Sequence, residues 1–522
     1  MSRSFTFVLL LVVLLLVVGP LASQESVVWP AEDWPTSTPE EQGIDSALLL
    51  ELLENVADWN LHVDSIMVIR NGFVVLDAYF YPNTADMPHQ LWSATKSFTS
   101  TLAGIAMDQG LIRDLDQPVV ELFPDLDTED LDDDASAITL GNLLTMSAGI
   151  PCSAIGFDTQ EVLLNSTDPV QTVLELDIRN PGRGFSYCNL DSDLVAAAVA
   201  SAADQPLLDY ANEFLFGPLG ITEYSWQTIQ DDLPFGSLGL YLTPHDMARL
   251  GYLFLHEGRW NGQQVVSSDW IETVTCAGDS ECPSRGRGYG YHWWLFPERV
   301  FMAIGGAGQY IAVSPDKNMV VVVTSSGDPT LTPSEIGPKV FGAAVSDDPL
   351  PANATVLSEL EARTQVLASP PPAMDQQPLP AIAEQISGSE FVLENPIKMW
   401  FERPGLAERR LGWPMEVGRM QLSFDEADHA VLTLDFTDGY STTLPIGLDG
   451  VPRVTDTRVG PLALTGEWTP SGDTFKVQIQ FVGQGSWQSL DFRFGNEVVN
   501  ISWTDPSWTG RAHSEASFSG DS

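Results

Sequence analysis

The sequence predicts two folding units of different texture: an α/β (α+β) unit over residues 27–346 and a small all-β unit over residues 386–522. Three observations carry this. From about Glu32 to Ser346, short β-like runs alternate with amphipathic helical stretches. Residues 347–385 form a connector with Ser369-Pro-Pro-Pro and Gln-Gln-Pro-Leu-Pro runs, the composition of a stiff linker. From Ile386 the hydrophobic period becomes two, bounded by Gly, Asp and Pro turns. A chain of 522 residues with 44% hydrophobic content can bury a core in each unit.

Ahead of both, residues 1–26 read as a secretory signal. Arg3 supplies the positive start, Phe7 to Val18 is apolar, Gly19-Pro20 breaks the run, and Ala22-Ser23 offers small residues for cleavage. The run is shorter than the roughly 20 residues a membrane span needs. A secreted or extracytoplasmic protein with no stable membrane span is therefore expected, with an uncleaved anchor as the alternative. Export permits disulfides. Cys276 and Cys282, six apart in a polar loop, are natural partners, which leaves Cys152 for Cys188. No C-x-x-C occurs and no histidine lies at ligand spacing from a cysteine, so no metal site is expected. Asp125 to Asp134 opens like a calcium loop but places Asp130 and Ser136 where glycine and glutamate are required.

Charge excludes one class of partner. Asp and Glu number 71 against 24 Lys and Arg, a net charge of -47, which repels nucleic-acid backbones and anionic lipid.

In the first unit the informative string is His89-Gln-Leu-Trp-Ser-Ala-Thr-Lys-Ser-Phe-Thr-Ser100. Ser93 and Lys96 stand at i and i+3, which places them on one face of a helix, and Phe98, Leu102 and Ile105 make that helix buried. A lysine withdrawn from water loses its proton readily and becomes the base that a serine nucleophile needs. The spacing recurs at Ser314-Pro-Asp-Lys317, where Pro-Asp-Lys-Asn between apolar runs reads as a hairpin turn with an exposed lysine.

A second element is Tyr187-Cys-Asn189, following Pro181-Gly-Arg-Gly184 and leading into a buried helix at Leu194–Ala200. In extended or loop backbone, i and i+2 point the same way, so Tyr187 and Asn189 can enter one cleft. The third element is Ala303-Ile-Gly-Gly-Ala-Gly-Gln-Tyr-Ile311 before Met319-Val-Val-Val-Val323. Its glycines permit close backbone approach or mark a β-bulge. A backbone N–H there, with that of Ser93, can form an oxyanion hole. H-E-x-x-H and G-x-S-x-G are absent, and His89, His245 and His256 read as structural.

These elements, in this order, resemble the penicillin-recognising serine hydrolases, in the branch of class C β-lactamase-related esterases, D-amino-acid peptidases and nylon-oligomer hydrolases. Ile138-Thr-Leu-Gly-Asn-Leu-Leu-Thr-Met-Ser-Ala-Gly149, Gly239-Leu-Tyr-Leu-Thr-Pro-His-Asp-Met-Ala-Arg249, Glu257-Gly-Arg-Trp-Asn-Gly262 and Tyr289-Gly-Tyr-His-Trp-Trp294 extend the likeness over about residues 35–345. The resemblance implies a β-lactamase/transpeptidase-like fold: an antiparallel sheet flanked by helices, plus an all-helical region, with the cleft between. It implies Ser93 as acylated nucleophile, Lys96 and Tyr187 as handlers of its proton, and Asn189 on the substrate. Gly306, Gly308 and Gln309 would line the substrate site, with the N–H groups of Ser93 and Gln309 as the oxyanion hole. No cofactor is implied.

One departure bears on substrate. Relatives that bind β-lactams or carboxylate-ended peptides usually carry Lys or His at the head of the third motif, and Gly306-Ala-Gly308 offers neither. The expectation is therefore a small neutral or cationic ester or amide. β-Lactamase or D-amino-acid peptidase activity, and a non-catalytic penicillin-binding, sensor or wall-binding role, remain the alternatives. The C-terminal unit resembles the β-rich module of many such hydrolases, and its tryptophans read as core.

Overall fold

The computed structural model describes residues 27–31, 33–59, 62–152, 163, 166–230, 233–275, 288–327, 331–375, 377–400, 414–424, 428–495, 498–505 and 510–517. The predicted signal and the Cys276–Cys282 pair lie outside these. Among the described residues no helix is long and apolar enough to cross a membrane.

The first half contains helix α1 (Ser46–Trp59), strands β1 (Val63–Arg70), β2 (Phe73–Tyr79) and β3 (His89–Gln90), and helices α2 (Thr95–Asp108) and α3 (Asn189–Ala203). There follow β4 (Leu240–Leu242), α4 (Pro244–Leu255), and strands β5 (Tyr289–Gly290), β6 (Trp293–Leu295), β7 (Phe301–Gly305), β8 (Gln309–Ser314) and β9 (Met319–Ser325). Helices α5 (Leu331–Ala343) and α6 (Ala354–Leu367) close this half. Seven strands pair antiparallel in the order β5-β6-β7-β8-β9-β1-β2.

Side-chain alternation explains why the central strands read as continuous apolar runs. Ile66, Val68, Val321 and Val323 enter the core shared with α1, α5 and α6, while Met67, Ile69, Val320 and Val322 enter the opposite core with α2, α3 and α4. Both faces are covered, so both sets must be apolar.

Among the described residues the β module has ten strands: β10 (Ser389–Trp400), β11 (Pro414–Ser423), β12 (His429–Phe436), β13 (Ser441–Gly447), β14 (Arg453–Thr457), β15 (Gly460–Trp468), β16 (Thr474–Phe481), β17 (Ser486–Phe494), β18 (Val498–Asp505) and β19 (Gly510–Ser517). Buried and half-exposed residues alternate along β12 and β17. The first strand returns to the last, with Asn395 N–H donating to Ser514 Oγ at 3.3 Å, so the sheet curls into a near-barrel filled by side chains. Trp503 is in that core and Trp468 packs on Phe424, Phe475 and Phe494. Trp487 departs from the core expectation and stacks on His62 of the other half, 5.5 Å between centroids. The side chains of Trp400, Trp413 and Trp508 lie outside the described residues.

Candidate active site

Helix α2 is buried along most of its length although it reads Thr-Lys-Ser-Phe-Thr-Ser-Thr. The hydroxyls find backbone partners: Ser97 donates to the His292 carbonyl, Thr99 to that of Gly236 at 2.8 Å and Ser100 to that of Tyr291, while Thr95 accepts from the Leu240 N–H. This satisfies polar groups that burial would otherwise penalise. The helix is thereby tied to two loops, and its N-terminal half is fixed.

Ser93 lies in the 3-10 turn Trp92–Ala94 that runs into α2. It is half-buried, whereas Lys96 is only 1% exposed. Trp92 holds a φ of 48°, a conformation costing a bulky residue roughly 1–2 kcal/mol. Lys96 Nζ is 3.1 Å from Ser93 Oγ, 2.7 Å from Asn189 Oδ1 and 2.9 Å from the Ser237 carbonyl oxygen. Two of these partners can only accept. They take two of the three donor positions of Nζ and leave the third facing the Ser93 hydroxyl.

Tyr187 and Asn189 flank Cys188, which is extended (φ -140°, ψ 127°) and caps α3. Asn189 is the first helical residue, so α3 starts five residues before the predicted Leu194. The extended cap turns both side chains toward Lys96: Asn189 accepts its proton, and the Tyr187 ring lies under Nζ, 4.9 Å from the centroid. Cys188 is bonded to Cys152, which anchors the cap. Phe185, Tyr187, Tyr289 and Trp294 form an aromatic wall, with Tyr187 stacked on Trp294 at 6.1 Å and Tyr289 edge-on to it at 4.8 Å.

Of the third motif's three glycines, one makes the close approach that the sequence suggests. That role belongs to Gly305, where a Cβ would collide with the Leu91 carbonyl oxygen. Gly306 makes ordinary contact with Trp92, and Gly308, at φ 94°, completes the turn between β7 and β8 rather than a bulge. Gln309 opens β8 opposite Gly305, and its buried side chain bonds Ser325 and the Gly306 carbonyl. The Gly305 approach seats the start of β8 against the Ser93 turn.

The second S-x-x-K forms a 3-10 turn between β8 and β9. Lys317 is half-buried there, not exposed, because Nζ reaches the Ala344 carbonyl at 3.2 Å. His89 has a carboxylate partner that the sequence did not reveal: Asp64 Oδ2 at 2.9 Å from Nε2. Asp64 also accepts from Asn83, Ser326 and Gln480, joining β1, β3, β9 and the β module in one buried network.

Sequence reasoning also missed two wholly buried acids on α3. Burial pushes Asp191 well above the usual carboxylate range, and it pushes Asp193 up to about 6, with hydrogen bonds from Ser237 and the Lys96 charge opposing. Asp193 accepts the Ser237 N–H at 3.0 Å, and the same residue's carbonyl accepts from Lys96. Asp193 thus holds the peptide that holds the lysine. His292, buried against the Lys96 carbonyl, is pushed down to about 3 by burial first and Lys96 second, and stays neutral.

A stability test follows from Asp193. Its folded pKa is raised, so between about pH 4 and pH 6 the folded state binds more protons than the unfolded one, and stability falls as pH rises through that window. Asp193→Asn keeps an acceptor for Ser237 and removes the charge. The variant is expected to gain stability over wild type across the window, approaching about 3 kcal/mol above pH 6. Thermal melts from pH 4 to 8 check it; a difference independent of pH would remove the assignment.

The chain is similar to known proteins over much of its first half. Over 288 residues the chain is 26% identical to the 6-aminohexanoate-dimer hydrolase of Paenarthrobacter ureafaciens, covering 50% of this chain and 72% of that protein. Over 276 residues it is 25% identical to the D-alanyl-D-alanine-carboxypeptidase/endopeptidase AmpH of Escherichia coli (strain K12), covering 45% and 70%. Among solved structures, a putative 6-aminohexanoate-dimer hydrolase from Bacillus anthracis superposes with a TM-score of 0.48 at 21% identity, over 64% of this chain and 90% of that one. The family described as Beta-lactamase matches residues 56–340, more than half of the chain and the stretch that carries Ser93, Lys96, Tyr187, Asn189 and Gln309. The chain belongs to the beta-lactamase family of serine hydrolases.

Proposed function

We propose that the protein hydrolyses a small neutral or cationic ester or amide through an acyl-enzyme on Ser93, working outside the cytoplasm. The observation that carries the reading is the Lys96 amine, held by two acceptor-only partners with its third position 3.1 Å from the half-buried Ser93 hydroxyl.

In the first step the Ser93 proton passes to Lys96 as Oγ bonds the acyl carbon. The acyl oxygen takes the negative charge beside the N–H groups of Ser93 and Gln309. The bond to the leaving group then breaks, and the leaving group takes a proton delivered through Lys96 and Tyr187. Water attacks the acyl carbon in the second step, giving a proton to Lys96, and Oγ departs with a proton to restore the hydroxyl. The Tyr187 face stabilises the ammonium form of Lys96 between these transfers.

Substrate charge follows from what surrounds the serine. Gly306-Ala-Gly308 brings no cation, and the aromatic wall offers apolar faces that also attract cations. The name of AmpH points to peptide substrates, whose terminal carboxylate would have to bind here without that counter-ion.

Fluorophosphonate treatment followed by peptide mapping tests the nucleophile, with an adduct on Ser93 expected. Matched p-nitrophenyl esters test the charge rule: a neutral butyryl ester should exceed a succinyl ester in kcat/KM by about ten-fold or more, a loss of roughly 1.4 kcal/mol of transition-state binding. Equal values would overturn the charge rule. Labelling with one equivalent of product and no turnover would make the protein an acyl-binding sensor instead.

A further inference from the structure

The β module reaches the nucleophile itself. The turn between β16 and β17 presents the Gly483 carbonyl to the Gln90 N–H at 2.8 Å and the Gln484 carbonyl to Trp92 Nε1–H at 3.1 Å. It therefore grips the chain on both sides of Leu91, up to Trp92, the residue before Ser93. Gly485 fills the remaining space. A Cβ there would stand 2.7 Å from Gln309 Nε2 and 2.9 Å from Trp92 Nε1, so a side chain at this position would press on Gln309, whose backbone N–H is one arm of the proposed oxyanion hole, and on Trp92, the residue before the other arm.

The turn is itself rigid. The Gln484 side chain is 1% exposed and donates to the Val459 carbonyl at 2.7 Å, and Gly483 and Gly485 take φ of 74° and 65°. What it grips is strained. Trp92, at φ 48°, is a bulky residue in left-handed backbone, a conformation that persists only when its surroundings hold it. The orientation of the following peptide, whose N–H belongs to Ser93, depends on that conformation.

We propose that the Phe481–Ser486 turn is a positioning element of the active site, holding Trp92 and Gln309 so that the N–H groups of Ser93 and Gln309 converge on the acyl oxygen. The module acts in cis on turnover rather than as a separate binding unit. This rests on Ser93 being the nucleophile, and the test separates the two claims.

Full-length Gly485→Ala, Trp92→Phe, their double variant and Gly439→Ala are compared with wild type on a neutral p-nitrophenyl ester, with fluorophosphonate labelling rates and thermal melts. Gly439 is the control: it has φ 88° in another hairpin of the module, and a Cβ there meets nothing within 4 Å. It carries the same backbone penalty without the contact. Gly485→Ala is expected to lower kcat by about ten- to hundred-fold with KM within about two-fold, the signature of lost transition-state stabilisation. Trp92→Phe removes the indole donor together with part of the buried ring, brings no new clash, and should lower kcat less, and the double variant should fall no further than Gly485→Ala alone, since both act through one contact. Gly439→Ala should keep wild-type kcat.

Wild-type kcat in Gly485→Ala, or an equal loss in Gly439→Ala, would overturn the positioning role and leave the nucleophile untouched. A wild-type protein that neither turns over ester nor labels at Ser93 would overturn the nucleophile, and the positioning role with it.

Discussion

Ser93→Ala is expected to lower turnover of a neutral ester by at least about 10⁴-fold, to the level left by binding and oxyanion contacts alone. The magnitude follows from the lack of a substitute. Thr95, Ser97, Thr99 and Ser100 lie close by on α2 but are wholly buried, and each is engaged with backbone. The fold should be little affected, because the Lys96 amine keeps Asn189 and the Ser237 carbonyl when Oγ is lost. Steady-state kinetics beside a melt checks both halves. Activity within about ten-fold of wild type would place the nucleophile elsewhere.

Lys96→Ala is expected to combine a catalytic loss with a pH-dependent loss of stability. Without the base, acylation should slow by about 10²–10⁴-fold, and labelling by fluorophosphonate should slow with it. The stability effect has another origin. Lys96 lowers the pKa of both Asp191 and Asp193, which burial raises. Removing the cation raises those folded values further, so more stability is lost as pH climbs through them, on the order of 2–3 kcal/mol at pH 8 and little at pH 4. Asp193→Asn in the Lys96→Ala background should recover part of that loss at pH 8. Lys96→Ala melting like wild type at every pH would mean that the lysine does not compensate these acids.

The parts of the site that sequence reading reaches are those set by local periodicity. Ser93 and Lys96 stand together because a helix repeats near that spacing, and Tyr187 and Asn189 do so because one extended residue separates them. The strands of the β module are legible for the same reason, as in Thr474–Phe481, where buried and exposed residues alternate. What escaped depends on contacts between distant segments. Asn-Leu-Asp-Ser-Asp reads as polar lead-in to a helix, yet it is the first turn of α3, and its acids are buried because Lys96 and Ser237 arrive from elsewhere in the chain. Two acids at the head of an Ala- and Val-rich helix were the available signal. The choice of Gly305 over Gly306 and Gly308 as the close-approach glycine had none, because it is decided by the Leu91 carbonyl, which only the folded chain brings there.

The contact between Trp92 and Gln484 spans 392 residues of sequence, and that distance can also be read as time. A ribosome adding roughly 5–20 residues per second needs about 20–80 s to make that intervening stretch. For most of this interval the growing polypeptide already carries its serine, lysine and tyrosine. With the turn acting as proposed, it still lacks the brace that shapes the nucleophile. Hydrolytic competence would then appear late, after the C-terminal module has docked. A cell making this enzyme would be shielded from its acyl chemistry while each copy is being built.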